Sequence, residues 1–219
     1  MRLSVIITGA SGMVGEGVLH ECLQHPDVEH VLVVGRRACG TTHPKLKELL
    51  VSDLFDLTSI ESELSGFDAC YFCLGVSSIG MKEDAYRHIT YDLTMNFAKT
   101  LVRLNQNMTF CYISGAKTDS SEKGRSMWAR VKGKTENDLL KLPFKAAYNF
   151  RPGYIHPTPG LKNTLSSYKY ITWLYPALRA IFPSSACSLR EIGLAMIGVT
   201  ERGYPKHILE VKDIVEAAG

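Results

Sequence analysis

The sequence predicts an α/β fold of the doubly wound kind, a largely parallel sheet with helices on both faces. Short, nearly continuous apolar runs recur along the chain, as strands buried on both faces require. They alternate with longer segments of helical period or with turn signals. The first run passes directly into a glycine-rich turn and then into a helix-like stretch. With 219 residues, 45% hydrophobic and 21% charged, the chain is long enough for one well-buried core. A single domain over 1–219 is expected, with residues 151–219 forming a small C-terminal cap on the substrate side.

Six apolar runs are the strand candidates: Leu3 to Ile7, His30 to Val34, Leu49 to Val51, Ala69 to Leu74, Met108 to Ile113 and Lys145 to Phe150. Helical spacing marks Met13 to His25, Ser59 to Leu64, Lys82 to Leu104, Arg125 to Lys141, Ser166 to Ile181 and Leu189 to Thr200. Asp27, Gly66 and Pro143 punctuate these segments as turn formers and helix breakers do. The tail from His207 to Ala218 has room for one more short strand and a helix. No internal repeat, low-complexity tract or linker interrupts the order.

Bulk properties exclude several classes. The net charge is +3 with both signs interspersed, so no basic stripe calls for nucleic acid or an anionic membrane surface. The late apolar stretch from Ile171 to Phe182 is broken by Pro176 and Arg179. It falls short of the roughly 20 residues a membrane helix needs and reads as an amphipathic packing helix. The N-terminus enters a strand almost at once, without the three regions of a secretory signal, and a cytoplasmic location is expected. Six cysteines lie mostly within apolar runs, as reduced core thiols do. Cys70 and Cys73 spell a CxxC, but along an extended strand residues three apart point to opposite faces, so they cannot easily share a metal or a disulfide.

The stretch Thr8 to Gly15 reads Thr-Gly-Ala-Ser-Gly-Met-Val-Gly. A buried strand, a glycine turn and a helix N-terminus in this order form the geometry that holds a dinucleotide pyrophosphate in a Rossmann fold. Gly9 permits the tight turn, Gly12 lets the backbone approach the phosphates, and Gly15 lets helix and strand pack closely. Ser11, Met13 and Val14 complete the cradle, whose amides and helix dipole attract an anion. After the second strand stands Gly35-Arg36-Arg37, where NAD-specific folds place an acidic residue on the ribose 2′-hydroxyl. A guanidinium cannot accept that hydrogen bond, but it binds a 2′-phosphate well, and the expected cofactor is NADP. Asp53 and Leu54, after the third run, are placed to meet the adenine. Leu74, Gly75 and Val76, after the fourth, are placed to let backbone pass under a ribose.

Taken in order, TGASGMVG, GRR, SDL, CLG, YIS, WARVK and FRPG resemble the short-chain dehydrogenase/reductase superfamily. The likeness runs from about residue 3 to 157 and is strongest to the atypical NAD(P)H-binding branch of the Tat-interacting-protein oxidoreductase and NmrA-like type. That resemblance implies a Tyr-x-x-x-Lys pair after the fifth strand, the tyrosine as acid or base and the lysine on the nicotinamide ribose. Here the segment is Trp128-Ala129-Arg130-Val131-Lys132. Lys132 is present, whereas an indole N–H cannot exchange a proton at useful pH. The resemblance further implies a catalytic serine at Ser114 and brings Tyr154, beyond Arg151-Pro152-Gly153, past the nicotinamide. Tyr154 and Tyr91 are alternative proton donors. The expected function is an NADP(H)-binding oxidoreductase or epimerase-like protein acting on a small molecule the sequence does not identify. The alternative is a non-catalytic NADP(H)-binding sensor or interaction protein, and a homodimer or a protein partner is left open.

Overall fold

The computed structural model describes residues 2–163 and 175–219. Strand β1 (Leu3–Thr8) is flanked by β2 (Val28–Gly35) and β4 (Ala69–Phe72), both parallel to it. With β3 (Leu46–Leu50), β5 (Thr109–Ile113), β6 (Ala146–Arg151) and β9 (Ile208–Glu210) they form a seven-stranded sheet in the order β3-β2-β1-β4-β5-β6-β9. Every neighbouring pair is parallel. The order reverses between β1 and β4, and at such a switch point the strand ends splay apart into a crevice.

Two apolar cores follow from the pleat, because successive side chains of a strand face opposite ways. Val5 and Ile7 face the core that also holds Val18, Leu19, Leu189, Ile192 and Ile214. Those residues come from α1 (Met13–Gln24), α6 (Leu189–Arg202) and α7 (Val211–Ala217). Ile6 faces the other core, with Phe72, Phe97, Leu101, Phe110 and Tyr112. That side is closed by α3 (Leu93–Leu104) and α4 (Met127–Leu139). Cys70 lies in the second core and Cys73 packs on the first, so the CxxC pair is divided between the faces, and all six cysteines are free.

The doubly wound α/β fold read from the sequence is the one observed. The expected tail strand and helix are β9 and α7. Three details differ. Strand β3 begins at Leu46 rather than Leu49, because an edge strand with one side in water tolerates Lys47 and Glu48 and shows no continuous apolar run. Thr58–Leu64 is a 3₁₀ rather than an α segment. The long helix expected over 82–104 is α2 (Glu83–Arg87), a π-helical turn (His88–Asp92) and then α3. Two three-residue strands, β7 (Tyr154–His156) and β8 (Ala186–Ser188), form a separate parallel pair. Of the helix expected over 166–181, the described part is α5 (Tyr175–Ile181), and the remainder lies outside the described residues. No helix among the described residues is long and apolar enough to cross a membrane.

Candidate dinucleotide site

All the segments singled out in the sequence for cofactor binding leave the carboxyl ends of their strands, so they share one edge of the sheet. After β1 the chain turns at Gly9, whose φ of +73° is in the left-handed region. A Cβ there would also lie 2.7 Å from the Cys73 carbonyl carbon. The loops after β1 and β4 therefore touch backbone to backbone. At Gly15 a Cβ would lie 2.1 Å from the Gly9 carbonyl oxygen, so the helix approaches the turn only without a side chain. Gly12 differs from both. Its φ of −111° suits any residue, and a Cβ would meet only the Gly9 oxygen, at 3.4 Å. Nothing in the fold demands a glycine at 12, whereas a ligand lying against the backbone would.

Gly12 caps α1 without a side-chain hydrogen bond, which leaves the amides of Met13, Val14 and Gly15 without intrahelical acceptors. At the end of β1, just before this turn, the Thr8 hydroxyl is buried with no hydrogen-bond partner. Glu16, the acidic residue of the first turn, accepts from the backbone N–H groups of Lys162 and Asn163 at 2.8 and 2.7 Å. Its charge is held by those two amides. The cradle therefore combines free donors, an unpartnered buried hydroxyl and space that a side chain at 12 would fill. These features fit the diphosphate of a dinucleotide.

Along the edge, Arg36 and Arg37 follow β2, exposed and without an ion pair among the described residues. The Val51 N–H donates to the Gly35 carbonyl at 3.0 Å and holds the end of β3 beside them. Leu54 is buried, and the exposed Asp53 accepts from the Phe55 N–H at 2.9 Å. Beyond β4, Leu74 is half-buried, Gly75 and Val76 are exposed, and a Cβ on Gly75 would have nothing within 4 Å.

On the other side of the switch point, Ser114 and Lys132 come together. The Lys132 ammonium donates to the Ser114 carbonyl. Burial pushes the Lys132 pKa down to about 8, with the Glu136 carboxylate opposing that shift. Trp128, one helical turn before Lys132, shares its face of α4. The Ser114 hydroxyl lies between the Glu136 carboxylate and the Phe150 carbonyl. Glu136 is fully buried and takes two bonds from the Arg151 guanidinium, which also reaches Glu210 and Ser120. This brace ties α4, β5, β6 and β9 at the site. Sequence reading passed over Glu136, although it stands four residues after Lys132 on the same helix face, and treated Arg151 only as part of a motif.

Tyr154 begins β7, its N–H donating to the Ser185 carbonyl at 2.9 Å, and its ring centroid lies 6.3 Å from that of Tyr175. His156, two residues on and on the same strand face, stacks on Tyr175 at 4.0 Å. Its Nδ1 is buried without a hydrogen bond, and burial lowers its pKa. Tyr91 lies elsewhere. Its hydroxyl donates to Asp138 at 2.7 Å, between the cations of Arg87 and Lys134. Lys134 and Asp138 occupy the side of α4 turned away from Lys132.

Known proteins give the same fold. WbmF of Bordetella bronchiseptica, solved with NAD+ and UDP, matches with a TM-score of 0.69 at 15% identity over 96% of this chain and 72% of its own. Carbonyl reductase Sniffer of D. melanogaster matches with a TM-score of 0.56 at 13% identity, covering 72% of this chain and 83% of its own. In sequence the chain is 25% identical to the mitochondrial protein FMP52 of Candida albicans, over 99% of this chain and 95% of the relative. It is 27% identical to protein HTATIP2 of Rattus norvegicus, over 69% of this chain and 62% of the relative. The expected cytoplasmic location does not stand, because several FMP52 relatives are named mitochondrial. The resemblance to the short-chain dehydrogenase/reductase superfamily holds. A model of the NAD dependent epimerase/dehydratase family matches residues 5–123, more than half of the chain, and the chain belongs to that family.

Proposed function

We propose that this protein binds NADP(H) along the carboxyl edge of its sheet and is an oxidoreductase-like member of its family in which Trp128 stands where the proton-donating tyrosine is expected. The observation that carries the reading is the state of the groups around Lys132. Trp128 has no exchangeable proton of useful acidity, and the Ser114 hydroxyl is engaged by Glu136 and the Phe150 carbonyl. Lys132, by contrast, is held with its ammonium at the end of β5.

In this reading the first-turn amides of α1 bind the diphosphate and Arg36 and Arg37 bind the 2′-phosphate. Lys132 binds the nicotinamide ribose, and Leu74, Gly75 and Val76 line its path. A reduced nicotinamide, when bound, supplies a hydride to a carbonyl carbon. The protein's part is to orient that carbonyl and deliver a proton to its oxygen. Tyr154 stands on the substrate side as the remaining hydroxyl candidate. Losing a positioned general acid costs about 10²- to 10⁴-fold in rate, so turnover of simple carbonyl compounds is slow. The same observation favours a second reading, in which cofactor occupancy alone is the output and the protein is a sensor.

Titration of protein fluorescence with NADPH and NADH tests the cofactor assignment. One charge-assisted bond to the 2′-phosphate is worth on the order of tenfold. NADPH therefore binds at least about tenfold more tightly, and Arg36→Ala with Arg37→Ala lowers that preference sharply. Equal affinities in the wild type refute the phosphate assignment.

A further inference from the structure

We propose that Lys162 is a third ligand of the 2′-phosphate, brought to the adenosine end of the site by a strap that Glu16 holds in place. The proposal rests on the NADP(H) reading above. After β7 the chain runs from Pro157 to Asn163 back across the start of α1. Leu161 packs against the core that α1 covers. Lys162 and Asn163 give their backbone N–H groups to the two oxygens of Glu16. This two-point clamp fixes where the Lys162 side chain starts.

The side chain then reaches the loop after β2. Its ammonium donates to the Gly40 carbonyl at 3.3 Å. That loop reads Gly35-Arg36-Arg37-Ala38-Cys39-Gly40 and carries no acidic residue of its own. The nearby carboxylate of Glu48 accepts from the Cys39 N–H at 2.7 Å. Lys162 has no ion pair among the described residues, and neither have Arg36 and Arg37. One carbonyl uses one of the three ammonium protons, which leaves two for a ligand. The segment after β7 thus adds a cation to a loop already bearing two. The chemistry these groups recognise together is a phosphate monoester.

Glu16 is a positioning residue in this arrangement. It sits in the first turn of α1, where its charge alone would oppose a diphosphate. Removing it alters the affinity for NADH and NADPH alike through that field. Only the ratio of the two affinities reports on the 2′-phosphate.

The test is that ratio, measured by fluorescence titration for the wild type, Lys162→Ala, Lys162→Arg, Glu16→Ala and the Glu16→Ala/Lys162→Ala double variant. Circular dichroism confirms that each variant is folded, which an exposed side chain such as Lys162 makes straightforward. Lys162→Ala is expected to lower the NADPH preference about three- to tenfold, the range for a solvent-screened but dianionic contact. Lys162→Arg keeps it within about twofold, since the charge is retained. Glu16→Ala lowers the preference on its own and adds nothing in the double variant, because both act through one side chain. A wild type that favours NADPH together with an unchanged ratio in Lys162→Ala overturns this proposal and leaves the arginines as the whole phosphate site. An unchanged ratio in Glu16→Ala alone overturns the clamp. Equal affinities in the wild type overturn the NADP(H) reading, and the proposal with it.

Discussion

Replacing Gly12 by valine separates what the fold needs from what a ligand needs. The backbone at 12 is extended, with φ at −111°, so a β-branched residue adopts it without strain. A Cβ meets only the Gly9 oxygen, at 3.4 Å, an ordinary contact. The remaining cost is exchanging a tolerated N-cap residue for a poor one, about 1 kcal/mol. For a chain of this size that is a fall in Tm of at most about 4 °C. The isopropyl group, however, fills the space against which a diphosphate would lie. Losing two charge-assisted amide contacts costs at least about 3 kcal/mol, or more than 100-fold in affinity. Gly15→Ala is the contrasting control. Its Cβ would lie 2.1 Å from a backbone oxygen, so helix and turn must part, and overpacking of this kind costs about 1–3 kcal/mol or more. Thermal denaturation and NADPH titration of both variants read the two effects apart. A folded Gly12→Val protein that binds NADPH normally refutes the cradle assignment, and one that unfolds refutes the claim that the fold does not need this glycine.

Two further outcomes follow from the groups around Lys132. Arg151→Met leaves the fully buried Glu136 without its cation and lowers stability to unfolding by about 3–5 kcal/mol. Adding Glu136→Leu recovers much of that loss, and a cold- or urea-stable Arg151→Met protein would show that the brace is dispensable. The Lys132 pKa is about 8 in the folded protein against roughly 10.4 when unfolded. Between these values the unfolded chain binds more protons, so the contribution of Lys132 to stability rises as pH rises from 8 to 10.5 and is flat below. Urea midpoints across this window, compared with Lys132→Met, should show a steeper upward slope for the wild type. Parallel curves would mean that the ammonium is not desolvated.

The sheet was legible because its central strands are buried on both faces and so are written as unbroken apolar runs. Leu3–Thr8 and Thr109–Ile113 could scarcely be anything else. The edge strand β3 was blurred by Lys47 and Glu48, whose side chains are tolerated where one side meets water. β7 and β8 are three residues each and carry no period long enough to read. The glycine turn was legible for a related reason: Gly9 and Gly15 are each demanded by a close backbone contact that a short motif records. Glu16, Lys162, Glu136 and Arg151 were not. Their partners lie between 15 and 147 residues away in the chain, and long-range ion pairs and carboxylate clamps leave no local pattern. The location was misjudged because the absence of one kind of signal was given more weight than it carries.

In the function proposed here the cofactor groove is intact while the proton donor beside Lys132 is missing. Single-turnover oxidation of protein-bound NADPH by a panel of simple aldehydes and ketones tests it, comparing wild type, Trp128→Tyr and Trp128→Tyr/Lys132→Ala. Tight NADPH binding and very slow oxidation are expected in the wild type. Trp128→Tyr is expected to show a gain well below the roughly 10⁴-fold ceiling for a tuned general acid, and that gain is lost when Lys132 is removed. Rapid turnover in the wild type, unchanged or lowered in Trp128→Tyr, would contradict the claim and place the proton donor elsewhere.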